Sequence, residues 1–186
     1  MNVYDFDDTI YNGDSSKDFF LFCIKKHPII CLILPRFAFY VFIYMIGKCS
    51  KEKMKESYFN FLRYLPNTEV EVTLFWEKNF HKIFDWYIKQ KQNTDVIISA
   101  SPEFLLKPVC DKLGVTLIAS IVDPQSGLYT GINCHSAEKV KRFTGLYPDV
   151  QINEFYSDSE TDKPMALLAK SAFFVNNGVV RKWELS

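Results

Sequence analysis

Met1-Asn-Val-Tyr-Asp5-Phe-Asp7-Asp8-Thr9-Ile-Tyr11-Asn12-Gly13 is the stretch on which the fold turns. Asn2, Val3 and Tyr4 suit a strand or its edge, and Asn12-Gly13 is a turn signal. Three carboxylates and a threonine stand between them. A strand that ends in clustered acids is costly, because like charges so close disfavour joint ionisation. A divalent cation is the commonest answer to that cost. Alone, the stretch reads as an acidic turn in water. Its meaning depends on what the rest of the chain brings to it.

The C-terminal half brings more strand ends. Asp95–Ser99 and Val115–Ser120 predict buried strands. A helix is expected over Pro102–Leu113, with Ser101 as N-cap and Gly114 as the closing glycine. Ile121–Cys134 reads as a hairpin-like excursion and Ser136–Phe143 as a short helix. A strand over Ile152–Ser157, a helix over Thr161–Lys170 and strands over Ala172–Val175 and Val179–Trp183 follow. This alternation predicts an α/β fold: a Rossmann-like parallel sheet with helices on both faces. Ligands in such sheets bind beyond the carboxyl ends of the strands. Asp5, Ser99 and Asp158 fall at three such ends.

Residues 14–92 have helical period only, so they are expected to form an inserted cap over that edge, leaving 1–13 and 93–186 as the core domain. Asp14, Ser15 and Ser16 are N-cap types ahead of the stripe Phe19, Phe20, Phe22 and Cys23. Ile29–Ile46 is almost wholly apolar, with Arg36 its one charge. Its length approaches that of a membrane span, but Pro35 and a central Arg36 oppose spanning. A buried or interface helix pair broken at Pro35 is expected first, peripheral membrane contact second and a true span third. Lys48–Lys55 reads as an exposed turn entering a helix that runs on over Glu56–Leu65. Thr68 is the expected N-cap of one long helix, Glu69–Lys91, with Trp76, Phe80, Ile83, Phe84 and Tyr87 on its apolar face.

With 186 residues, 48% apolar and 17 of them Phe, the chain can pack a core. Basic and acidic residues balance at 22 each, so no global field gathers nucleic acid, and no nucleic-acid motif is present. Five cysteines without a C-x-x-C pair argue against a disulfide framework or structural zinc. No basic n-region or small-residue cleavage site precedes the apolar stretch, which gives a cytoplasmic expectation, with membrane association open.

Asp5-Phe-Asp7-Asp8-Thr9, Ser99 after a strand, Lys139 in the Glu138-Lys139 context, and Asp158-Ser-Glu-Thr-Asp162 together resemble the four motifs of the haloacid dehalogenase superfamily of phosphohydrolases. The helical insert resembles the phosphoserine phosphatase-like branch. Ser99-Ala-Ser-Pro-Glu-Phe and the Asn133-Cys134 context are similar to its phosphatidylglycerophosphatase-like members. The resemblance implies Asp5 as nucleophile through an aspartyl phosphate, and Asp7 as general acid and base. It implies Ser99 and Lys139 as ligands of the phosphoryl group, with Ser101 competing for the serine role and Lys141 and Arg142 for the cation. It implies magnesium held by Asp5, Asp158, Asp162 and the Asp7 backbone. Asp8 and Ser157 depart from the family pattern, since glycine is usual at both places. Asp8 is expected to be a bystander, Thr9 to buttress the turn, and His135 to be an ordinary loop histidine. Asp14 stands where phosphoserine phosphatases carry a carboxylate for the substrate ammonium.

The leading expectation is a magnesium-dependent phosphomonoester hydrolase, with the apolar cap pointing to a lipid-linked or apolar phosphate. A small-metabolite phosphatase of phosphoserine type, a phosphotransferase, and a non-catalytic module that binds through the apolar cap are the alternatives.

Overall fold

A computed structural model describes residues 1–184. Six strands form one sheet in the order β3-β2-β1-β4-β5-β6. They are β1 (Val3–Tyr4), β2 (Val96–Pro102), β3 (Thr116–Ser120), β4 (Ile152–Ser157), β5 (Ala169–Asn176) and β6 (Val179–Lys182). The first five run parallel and β6 returns antiparallel on the edge. The predicted Rossmann-like α/β architecture is therefore present.

Successive side chains of a strand face opposite ways, and the core follows. Val3 and the flanking Val96 and Ile98 pack with Phe143 of α7 (Ala137–Leu146) and Met165 of α8 (Lys163–Ala166). Tyr4 and Ile97 face the other side. There Tyr4, Tyr156 and Phe173 stack across β1, β4 and β5 at 4.7 and 4.8 Å, the spacing of neighbouring strands.

Between β1 and β2 the chain is helical, as expected for 14–92. It forms α1 (Ser15–Lys26), α2 (Leu34–Met45), α3 (Lys51–Phe59), α4 (Thr68–Asn79) and α5 (Asp85–Gln90). Helix α6 (Glu103–Leu113) follows β2. Phe19 of α1 and Phe75 of α4 join Tyr4 and Ile97 in one apolar cluster, so the insert shares its core with the sheet. Gly127, at φ +74, lets the Ile121–Cys134 excursion touch α3: a Cβ there would run into the Phe59 carbonyl.

Several expectations need correction. The apolar stretch is not buried. Ile30 and Ile33 reach the core from a 3-10 turn over Pro28–Ile33, but α2 has no buried residue. Pro35 sits in the first turn of α2, where its missing N–H costs nothing, directly after the 3-10 turn ends at Ile33, so the helix junction falls beside it as expected. The expected long helix over Glu69–Lys91 is two. Ile83 leaves helical geometry to bridge Tyr11, the Asn12 amide donates to the Lys82 carbonyl and the Phe84 amide to that of Ile10. Tertiary pairing with the opening stretch outweighs helix periodicity there. Asn67 rather than Thr68 caps α4, and Ser101 lies in β2 rather than capping α6. The helix expected over Thr161–Lys170 ends at Ala166, because β5 takes up Ala169 onward.

Candidate active site

The carboxyl ends of β1, β2 and β4 meet as expected. Asp5 follows β1 directly, its amide donating to the Tyr156 carbonyl of β4. Asp5, Ser99, His135, Lys139, Asp158 and Asp162 line one cavity of about 300 Å³.

Lys139, in the first turn of α7, is buried and donates to both Asp5 Oδ1 and Asp162 Oδ2 at 2.6 Å. Burial works against its charge, but Asp5 and Asp162 outweigh that and raise its pKa. The Asp5 carboxyl is also raised: burial pushes it up, Lys139 pulls it down, and Asp162 and Asp158 add to the rise. Lys141 and Arg142, the sequence alternatives to Lys139, do not line this cavity. Arg142 instead donates to the carbonyls of Ala119 and Ile132.

Two hydroxyls fix the acidic loop. Ser157, fully buried at the end of β4, donates to Asp162 Oδ2 at 2.8 Å and accepts the Ser159 amide. Serine in place of the family glycine thus positions Asp162. Thr9 accepts the Asp158 amide at 3.0 Å and donates to Asp158 Oδ1, tying the first and last motifs together.

Asp5, Asp158 and Asp162 each use one carboxylate oxygen in this way. Asp5 Oδ2, Asp158 Oδ2 and Asp162 Oδ1 take no hydrogen bond among the described residues, and none is sealed in the core. One ammonium therefore faces three carboxylates, and a single divalent cation would close the charge. No three His, Cys, Asp or Glu side chains among the described residues form a ready-made metal cage. Magnesium does not need one. It takes one or two carboxylates and completes its octahedron with water and substrate phosphate, so this oxygen donor set fits it.

Asp7 also lines this cavity and is held by other partners. Its Oδ1 accepts the Ser15 amide at 2.6 Å and its Oδ2 the Ser101 hydroxyl at 2.5 Å. Burial and nearby Asp14 push its pKa up to about 6, against those hydrogen bonds. Such a carboxyl can both give and take a proton near neutral pH. Ser101 therefore holds Asp7, while Ser99 lines the Asp5 cavity. Asp8 is exposed at φ +51, a conformation glycine adopts freely and aspartate tolerates, which accounts for glycine being usual there. Asp14 caps α1 through the Lys17 amide. His135 is more than a loop residue: it lines the cavity, with Lys51 and Thr161 within 3.4 Å, and burial and Lys51 hold its pKa down.

A second cavity, of about 550 Å³, shares Asp7, Asp14 and Ala100 with the first. Phe20, Phe37, Met54, Tyr58 and Phe59 form its apolar wall. At the polar end stands Lys55, which the sequence placed on an exposed run. It donates to Asn133 Oδ1 at 3.2 Å and the Ala100 carbonyl, and has no carboxylate partner among the described residues. Burial and Lys51 lower its pKa to about 8. The helical spacing of Lys55 to Tyr58 and Phe59, which face inward, was the available signal.

The haloacid dehalogenase-like hydrolase model matches residues 3–167, nearly the whole chain. The chain belongs to that family. No curated protein matches it. In fold it is similar to a protein of unknown function from Bordetella pertussis Tohama I, at 19% identity and TM-score 0.73, covering 92% of this chain and 87% of that one. It is also similar to a phosphoserine phosphohydrolase-like protein from Francisella tularensis subsp. tularensis SCHU S4, at 17% identity and TM-score 0.56, covering 92% and 86%. A substrate-bound phosphoserine phosphatase matches at 16% identity and TM-score 0.53, covering 91% and 82%.

Proposed function

We propose that this hydrolase cleaves phosphomonoesters through an aspartyl phosphate on Asp5, with residues 14–92 as a cap over the site. The observation that carries the reading is the free Oδ2 of Asp5, held by Lys139 through its other oxygen in a cavity that also presents Ser99. The family match and the phosphoserine phosphatase-like neighbours support it.

Asp5 Oδ2 attacks phosphorus, the ester P–O bond breaks, and Asp7 gives its proton to the leaving alkoxide. Asp7 then takes a proton from water as that water attacks the phosphorus. The bond to Asp5 breaks and phosphate leaves. Ser99 and Lys139 balance charge on the phosphoryl oxygens. Magnesium, held by Asp5, Asp158, Asp162 and the Asp7 backbone, would supply further positive charge to the same oxygens.

The apolar wall of the second cavity supports a substrate whose alcohol carries an apolar chain, in line with the phosphatidylglycerophosphatase-like resemblance. The test is phosphate release from 4-nitrophenyl phosphate, a long-chain alkyl phosphate and phosphoserine, with and without magnesium. The expected order puts the alkyl phosphate above phosphoserine. No release from any of the three removes the hydrolase reading. Faster turnover of phosphoserine favours the small-metabolite alternative.

A further inference from the structure

Helix α2 leaves its outer face uncovered. It packs on α3, with the Phe37 ring against Tyr58. Beyond that contact, Phe39 and Phe42 are each 60% exposed and Met45 78%, one helical turn apart. Leu32, just before the helix, is 69% exposed. A contiguous apolar face of this kind marks an interaction site.

Charge identifies what covers it. The chain is balanced overall, yet between Asp18 and Glu52 it has no acidic residue, while Lys25, Lys26, Arg36, Lys48 and Lys51 are basic. Lys25, Arg36 and Lys48 are exposed. A second copy of the chain docking face to face would bring these like charges together. An anionic lipid surface would pair with them.

Geometry argues against a span. The apolar segment Pro28–Met45 has 18 residues and a mean hydropathy of 1.9. However, Ile30 and Ile33 are locked in the protein core, and α2 has only 12 residues, about 18 Å of helix against a hydrocarbon thickness of about 30 Å. Arg36 also lies within it. These are the properties of a helix that rests in the interface plane.

We infer that α2 docks on an anionic bilayer through Leu32, Phe39, Phe42 and Met45, with its basic flanks on the headgroups. Phe37 lies on the same helix and lines the apolar cavity beside exposed Leu21. Docking therefore puts the apolar end of the cavity next to the leaflet, giving an acyl chain a route toward Asp7. That route rests on the proposed hydrolase reading; docking itself does not.

The full chain is sedimented with vesicles of phosphatidylcholine plus phosphatidylglycerol and with phosphatidylcholine alone. Binding to the anionic vesicles, weakened by salt, is expected. Phe39→Ser with Phe42→Ser should weaken it about 100-fold while sparing hydrolysis of soluble 4-nitrophenyl phosphate. Arg36→Gln with Lys48→Gln, which leaves the apolar face intact, should weaken it roughly 30-fold. Absence of wild-type binding overturns the inference, as does undiminished binding by both variants. A wild-type dimer dissociated by the Phe variant also overturns it, since a second copy would then cover the face. Binding without turnover of any phosphate ester leaves docking standing and removes the hydrolase reading instead.

Discussion

Asp5→Asn is expected to abolish turnover and yet to stabilise the metal-free protein. Asp5 Oδ1 and Asp162 Oδ2 each lie 2.6 Å from Lys139 Nζ, so they are at most about 5 Å apart. At an effective dielectric of about 20, the Asp5–Lys139 attraction is about 6 kcal/mol and the Asp5–Asp162 repulsion about 3 kcal/mol. Taking a carboxylate out of water costs several kcal/mol more. Repulsion from Asp158 acts in the same sense. The unfavourable terms win by about 1–3 kcal/mol. Asparagine has the same shape and still offers Lys139 an acceptor, so the variant sheds the excess charge and keeps the contact.

The sign with pH follows from the raised carboxyl of Asp5. A group with a raised folded-state pKa stabilises fully below its unfolded value, near 4 for aspartate, and that contribution is lost as pH rises. The advantage of Asp5→Asn should thus be near zero at about pH 4 and reach about 1–3 kcal/mol at pH 7. Urea unfolding of both proteins in chelator, at several pH values, measures it. A variant less stable than wild type at pH 7, or a difference that ignores pH, would refute the charge accounting. Saturating magnesium should favour wild type instead, because a cation that binds only the folded state stabilises by mass action.

Ser101→Ala removes a hydrogen bond to ionised Asp7 worth about 1.5–3 kcal/mol, so Asp7 should titrate about 1–2 pH units higher than its present value of about 6. Because loss of the Asp7 proton removes the acid, the alkaline fall in kcat/KM for an alkyl phosphate should move up by that interval; an unmoved fall would separate Asp7 from proton transfer. Lys55→Met keeps the stem that borders the cavity and deletes its cation, so KM should rise several-fold with kcat little changed, as for uniform binding; a fall confined to kcat would count against it. Glu71 is buried and accepts from Lys26 and His27, which hold its pKa down despite burial. Its stabilisation is present above the unfolded value near 4.3 and lost as pH falls, so Glu71→Gln should cost about 1 kcal/mol at pH 7 and little below about pH 4 in thermal or urea unfolding.

Asp5, Ser99 and Asp158 were legible because they fall at strand ends, whereas Lys139 and Asp162 were legible only through the resemblance to the family motifs. All five line one cavity. Asp7, the proposed acid and base, was legible as a residue but not in its surroundings: Ser101 looked like a helix cap, yet it lies in β2 at a register irregularity and donates to Asp7. Ser157 read as a departure from the family pattern, since a sequence does not say that its hydroxyl reaches a residue five positions on. The break at Ile83 was illegible for another reason. Its partner, Tyr11, is remote in sequence, and an apolar helix periodicity carries no record of such a pairing. Helix α2 shows the limit of composition itself, because hydropathy belongs to the side chains and not to whatever covers them.

The exposed helix and the charged site make a joint demand on the substrate. A small phosphate ester would satisfy the Asp5 cavity and leave about 550 Å³ of largely apolar-walled space filled with water. An ester with an apolar chain would displace that water, and each methylene moved from water to an apolar wall contributes about 0.8 kcal/mol. In a series of unbranched alkyl phosphates, kcat/KM should therefore rise about fourfold per added methylene until the chain passes Phe37 and reaches the exposed face of α2. Without a membrane the gain should stop there, because the next methylene would return to water. With anionic vesicles it should persist as retention on the vesicle rather than as tighter binding in the cavity. A flat series from short to long chains would mean that the cavity does not receive the alcohol, and its apolar wall would then be only packing between α1, α2 and α3.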